Sequence, residues 1–304
     1  MPPERKYVAF VADPDRPSNW LMRPNQAKSL SDGDFAFSTN AEGWRTRDRP
    51  LPYEPRYRVL LLGDSCTFGW GVSDSQSSER ALEALLSNLR VEVINRGIPG
   101  YSAAQGLHLL RDHLRDEYPQ VAIVNYGWND ASESWGTDGQ RLSASHAPAL
   151  RSVLHRSVFY QFLTYELLPL VPSRRRIRVS PEQYREALVS LARQLQARGA
   201  KVLLATKPYN SKINNALLLN PRFAENGRKM KRWRGKLSRI EQYNRVVERA
   251  AQETGVAFVD LAALVRVRNP NEVFKGAVHP TANGHRLLGQ LLAPRIRELL
   301  IERP

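Results

Sequence analysis

The sequence predicts an α/β chain: a three-layer α/β/α sandwich on a five-stranded parallel sheet. Three observations predict it. Five short runs are almost continuous in Val, Leu and Ile, as strands are when both faces of a sheet are covered. Stretches with apolar residues at helical spacing lie among them. The alternation of the two gives βαβ units, which close on a parallel sheet.

The five strand runs, in order, are Arg58–Leu62, Val91–Asn95, Val121–Tyr126, Lys201–Thr206 and Val256–Asp260. Helical spacing links Ala81, Leu82, Leu85, Leu86 and Leu89 after the first run, and Leu107, Leu110 and Leu114 after the second. It links Leu188, Leu191 and Leu195 before the fourth, and Leu287, Leu288, Leu291 and Leu292 after the fifth. Pro294 removes an N–H and is expected to kink or interrupt the last helix. Residues 1–56 precede the first strand and read as an N-terminal extension packing on the core of 57–304. Two insertions interrupt the rhythm. One, at about 131–180, is aromatic-rich and reads as a lid or substrate-binding insertion; the other, at about 208–236, is basic.

At 304 residues and 42% hydrophobic, the chain has enough apolar side chain for a sizeable core, which excludes a disordered polypeptide. No apolar run reaches the ~18 residues of a membrane helix, nor does the N-terminus carry one of signal length, so a cytoplasmic setting is expected. Cys66 is the single cysteine, and an internal disulfide is excluded. The net charge of +15 comes from 45 basic against 30 acidic residues. It reads either as a surface for an acidic partner or as arginine usage spread over solvated faces. Two clusters carry the first reading. One is Arg174, Arg175, Arg176 and Arg178. The other is Arg222, Arg228, Lys229, Lys231, Arg232, Arg234, Lys236 and Arg239, with Trp233 among them. Nucleic acid is not the expected partner.

Ligands of open α/β sheets bind beyond the carboxyl ends of the strands, so the residues following each strand carry the chemistry. Gly63-Asp64-Ser65 follows the first. A serine between a buried strand and a helix start presents its hydroxyl at the sheet top, beside N–H groups that favour negative charge. Gly100 follows the second strand, Gly127-Trp128-Asn129-Asp130 the third, and His279-Pro280 precedes the last helix. Each alone is an ordinary turn. Lys207 and Tyr209, after the fourth strand, are candidates to line the site. Trp70, Trp128 and Trp135 are candidates either to pack a substrate or to fill the core. Cys66 reads as packing. His108, His113, His146, His155 and His285 show no metal-ligand spacing, and neither a metal nor another cofactor is expected.

Taken together and in this order, the four blocks resemble the SGNH/GDSL hydrolases over roughly residues 40–300. Gly63-Asp64-Ser65 matches the family's first block, Gly100 its second, Gly127-Trp128-Asn129-Asp130 its third, and His279-Pro280 with Gly284-His285 its last. Asn40-Ala41-Glu42-Gly43-Trp44-Arg45 also resembles a stretch before the first strand in some bacterial members. The resemblance implies a flavodoxin-like sheet and a serine esterase or acyltransferase acting on a small-molecule, glycan or lipid acyl ester. Ser65 would be the nucleophile and His279 its base. The N–H groups of Ser65 and Gly100, with the Asn129 amide, would form the oxyanion hole. Asp64 and Asp130 would hold their loops.

One departure stands out. The family usually has an aspartate three residues before the histidine; here Gly276 stands there. Three accounts are open. A backbone carbonyl near Gly276 accepts the His279 proton. Another carboxylate, Glu272 or Asp260, orients the ring. Or hydrolysis is weak, and the protein transfers acyl groups or only binds.

Overall fold

A computed structural model describes residues 9–13, 19–30, 35–47, 50–134, 136–139, 176–212 and 227–301. Strands β1 (Phe10–Ala12) and β2 (Trp20–Met22) form one antiparallel ribbon, β3 (Ala27–Leu30) and β4 (Phe35–Ser38) another. The chain then enters β5 (Tyr57–Gly63), helix α1 (Ser65–Phe68), α2 (Ser78–Leu85), β6 (Val91–Gly97), α3 (Ala103–Asp112) and β7 (Val121–Asn125). A short ribbon of β8 (Glu133–Ser134) and β9 (Arg176–Ile177) closes the base of the first insertion. Next come α4 (Pro181–Ala197), β10 (Lys201–Ala205), α5 (Gly227–Thr254), β11 (Ala257–Val259), α6 (Leu261–Arg266) and α7 (Pro270–Val273). The hairpin β12 (Phe274–Lys275) and β13 (His279–Pro280) leads into α8 (Ala282–Ile301).

The central sheet has the order β11-β10-β7-β5-β6, and every pairing is parallel. Side chains alternate across it. Leu60 and Leu62 of β5 face a core built with α3, α4 and α5; Val59 and Leu61 face a core built with α2, α6 and α8. This is the three-layer sandwich the sequence predicts, and full burial of each such side chain contributes about 1.5–3 kcal/mol. The order reverses between β5 and β7, so the crevice beyond Gly63 and Asn125 is the switch point where such sheets bind ligands.

Four elements depart from the sequence reading. Val91–Asn95 reads as buried on both faces, yet β6 is an edge strand whose residues alternate between buried and half-buried. Its outward Glu92 and Arg96 pair with Arg47 and Glu117. Leu85, counted on the apolar face of its helix, is exposed. Helix α8 runs on through Pro294. Pro294 and Gln290, four residues earlier, both lie on the exposed face, so the carbonyl that the proline leaves unpaired is open to water. Helix α5 is absent from the sequence reading. It is strongly polar, with a narrow apolar stripe of Ile240, Tyr243, Val246, Val247, Ala250 and Ala251 against the sheet.

The aromatic part of the first insertion, with Arg174, Arg175 and Trp135, lies outside the described residues, as do Arg222 and the side chains of Arg228, Lys229, Lys231, Arg232, Trp233 and Arg234. Among the described residues no helix is long and apolar enough to cross a membrane.

Candidate active site

Asp64 sets the first part of the site. It caps α1, its Oδ1 accepting from the Cys66 N–H at 2.9 Å. Ser65 thereby opens a helix, where an N–H has no intrahelical acceptor. The same Oδ1 accepts from the Lys207 ammonium at 3.0 Å, and both side chains are fully buried. Lys207 also donates to the carbonyl and side-chain oxygens of Asn125 at 2.9 and 2.7 Å. A charged lysine therefore fills the switch point beneath Ser65, rather than lining the open site. Its neighbour Tyr209 points elsewhere and donates to Glu241 at 2.6 Å.

The hairpin β12–β13 supplies the second part. Lys275 pairs with His279 across it, and Gly276 makes the turn with φ +76°, a left-handed conformation costly for a side chain. The residue three before His279, where the resemblance leads one to expect an acid, is thus a glycine at a turn position that favours glycine. The hairpin is fastened twice. The Cys66 thiol donates to the Val278 carbonyl at 3.3 Å, and Asn210 donates through its backbone to Ala277 and through its amide to Gly276. Ser65 Oγ and His279 Nε2 come to 3.0 Å. Burial also pushes the Cys66 thiol far up, so this cysteine is packing.

Neither candidate acid meets the imidazole. Asp260 caps α6, accepting from the Ala263 N–H and the Thr206 hydroxyl. Glu272 accepts from Asn269. The Gly276 carbonyl takes the Asn210 amide. Among the described residues no acceptor is bonded to His279 Nδ1. Burial lowers the His279 pKa, Lys207 and Lys236 lower it further, and Asp64 opposes them. A base acts in its neutral form. For a neutral ester, kcat/KM is therefore expected to rise along an acid limb centred below 6.5, the ordinary histidine value. A pH–rate profile checks this; a midpoint above 6.5 would mean that a carboxylate supports Nδ1 after all.

The third part is the loop after β6. Gly100 has φ +87°, and a Cβ there would come 2.9 Å from the Trp20 ring. Trp20 holds this loop from the N-terminal ribbon, donating to the Pro99 carbonyl at 2.9 Å and accepting the Tyr101 hydroxyl at 2.6 Å. Arg178 holds it from the other side. Its guanidinium donates to the Gly100 carbonyl at 2.8 Å and to both oxygens of Asp138. Asn129 donates one amide hydrogen to the Tyr101 carbonyl at 3.0 Å. Asp130 accepts from the Ala103 and Gly127 N–H groups, and burial pushes its carboxyl up to about 7.

Several supports escape the sequence reading. Arg178, counted in a basic surface cluster, is buried against Asp138. Arg45 is buried too, donating to the carbonyls of Phe68, Gly69 and Val72 and to Asp74, which fixes the loop after α1. Trp70 packs with Phe10, Phe35 and Phe37 in the N-terminal cluster. The matching motif His285 lies fully buried against Ser78, 2.6 Å from its hydroxyl, and burial lowers it to about 3. Among the described residues no group of three metal-ligating side chains converges.

Residues 61–287 match the sequence profile of the GDSL-like lipase/acylhydrolase family. No curated protein matches the chain. Among solved structures, the lipase/acylhydrolase from Enterococcus faecalis is similar at TM-score 0.51 and 20% identity, over 79% of this chain and 95% of that one. TesA is similar at 0.50 and 22%, over 80% and 99%. The acetyl xylan esterase AlAXEase is similar at 0.50 and 17%, over 79% and 99%. At these identities the likeness is one of fold.

Proposed function

Since the chain belongs to the GDSL-like lipase/acylhydrolase family, we propose that it hydrolyses a carboxylic ester through an acyl-enzyme on Ser65, with His279 as general base. The observation that carries this is the 3.0 Å separation of Ser65 Oγ and His279 Nε2 beyond the carboxyl end of the sheet. That is hydrogen-bond reach for a nucleophile and its base. Ser65 Oγ bonds to the acyl carbon as its proton passes to Nε2. Negative charge gathers on the former carbonyl oxygen, facing the N–H groups of Ser65 and Gly100 and the second amide hydrogen of Asn129. Collapse breaks the bond to the alcohol oxygen, which leaves with the His279 proton. Water, deprotonated by His279, then attacks the acyl carbon, the bond to Ser65 Oγ breaks as Oγ takes back the proton from His279, and the acid departs.

A fluorophosphonate probe with peptide mass analysis tests the nucleophile. The label is expected on the peptide carrying Ser65, in parallel with turnover of an acetyl ester. Label without turnover would point to transfer of the acyl group to an alcohol or amine instead of water. Turnover with the label on another residue would overturn the reading.

A further inference from the structure

We propose that Lys236 forms, beside the nucleophile, a subsite for an oxyanion carried by the substrate, a carboxylate or a phosphate on the ester. The proposal rests on the esterase reading and narrows its substrate class.

Lys236 projects from α5 and is only partly exposed. Its ammonium lies 3.9 Å over the ring of Trp128, which is itself 7% exposed and stands between Gly127 and Asn129. A partly dehydrated ammonium recovers less from an aromatic face than a charge-assisted hydrogen-bond partner would supply. The acids around it are committed. Asp64 serves Lys207 and the Cys66 N–H. Asp138 serves Arg178, Glu133 serves Arg239, and Asp130 serves two backbone N–H groups. Among the described residues Lys236 meets no carboxylate. The cation is thus held next to the oxyanion loop with its charge unanswered, which suits an anion brought in by the ligand.

The electrostatics agree. Burial lowers the Lys236 pKa to about 7, with Arg178 and Arg239 adding to the fall and Asp64 and Cys66 opposing it. Lys236 in turn lowers His279. The free enzyme therefore loses this cation as pH rises through about 7. Selectivity for an anionic ester is expected to fall there, whereas a neutral ester gives no such decline from Lys236.

Two anionic esters test the site: monomethyl glutarate, charged on its acyl side, and 2-acetoxyethyl phosphate, charged on its alcohol side. Their neutral counterparts are dimethyl glutarate and 2-acetoxyethanol. At pH 6, the anionic-to-neutral ratio of kcat/KM for at least one pair is expected to fall roughly 10–100-fold in Lys236→Met, the loss typical of a charged hydrogen bond, and to be partly restored in Lys236→Arg. A purely structural lysine would lower both members of a pair and keep the ratio; an unchanged ratio for both pairs overturns the proposal. Binding is measured separately on Ser65→Ala, by calorimetry with the same two anionic esters. At least one is expected to bind about tenfold or more weakly once Lys236→Met is added, and equal binding of both counts against the site. Should the wild-type protein turn over none of the four esters, the esterase reading fails, while the calorimetry still judges the subsite.

Discussion

Replacing Ser65 by alanine is expected to lower kcat for a simple acetyl ester about 10²-fold, and His279→Ala to do the same. The size of the drop follows from Nδ1. In a complete serine triad, losing the serine or the histidine costs roughly 10⁶ in kcat, and losing the acid alone about 3 × 10⁴. Here no acceptor among the described residues orients the imidazole, and Asp260 and Glu272 are bonded to other partners. The pair therefore starts without most of the acid's contribution, leaving on the order of 10² between pair and background. What holds the ring in place of an acid is the hairpin, fastened by Cys66 and Asn210. The double variant is expected to be no slower than either single one, because the two side chains act as one unit. Steady-state kinetics of the three variants check this. A drop near 10⁶ for either single variant would show that an acid reaches Nδ1 once substrate is bound.

The second large effect concerns stability. Lys207→Met is expected to destabilise the fold by about 3–5 kcal/mol, the usual result of leaving one member of a buried ion pair alone. The Asp64 carboxylate would stay fully buried with only the Cys66 N–H as partner, and Asn125 would lose two donated bonds. Because Asp64 caps α1, fluorophosphonate labelling of Ser65 is expected to weaken as well. Adding Asp64→Asn should recover part of the stability, since a neutral amide still accepts from Cys66 and no longer needs a cation. Urea denaturation of the single and double variants measures both. A loss below ~1 kcal/mol for Lys207→Met would overturn the expectation that this buried pair holds the fold.

The layers of this fold were legible because strands covered on both faces must be continuously apolar, as β5, β7 and β10 are. The proximity of Ser65 and His279 was legible because their residue types stand after the first strand and before the last helix in the order of the four blocks. What escaped depends on partners remote in sequence. Lys207 in Lys-Pro-Tyr-Asn reads as a candidate to line the open site, and only its contact with a residue 143 positions away makes it a core residue. Arg178 reads like one of four exposed arginines until Asp138 and the Gly100 carbonyl are seen around it. Helix α5 was hidden by its charge, since a helix with one covered face needs only a thin apolar stripe. The glycine at 276 was legible as a departure, but not as the turn that makes a side chain costly there.

The separation of Ser65 and His279 has a consequence for biosynthesis. They lie 214 residues apart, and at the ~5–20 residues per second of translation that interval lasts roughly 10–40 s. Asp64 waits for Lys207 through the first two-thirds of it. Throughout that time a nascent chain carries Ser65 without its partner His279. On the proposed mechanism, ester hydrolysis would begin only after all five strands of the sheet have been made, and a chain terminated before the hairpin would bear a serine without its base.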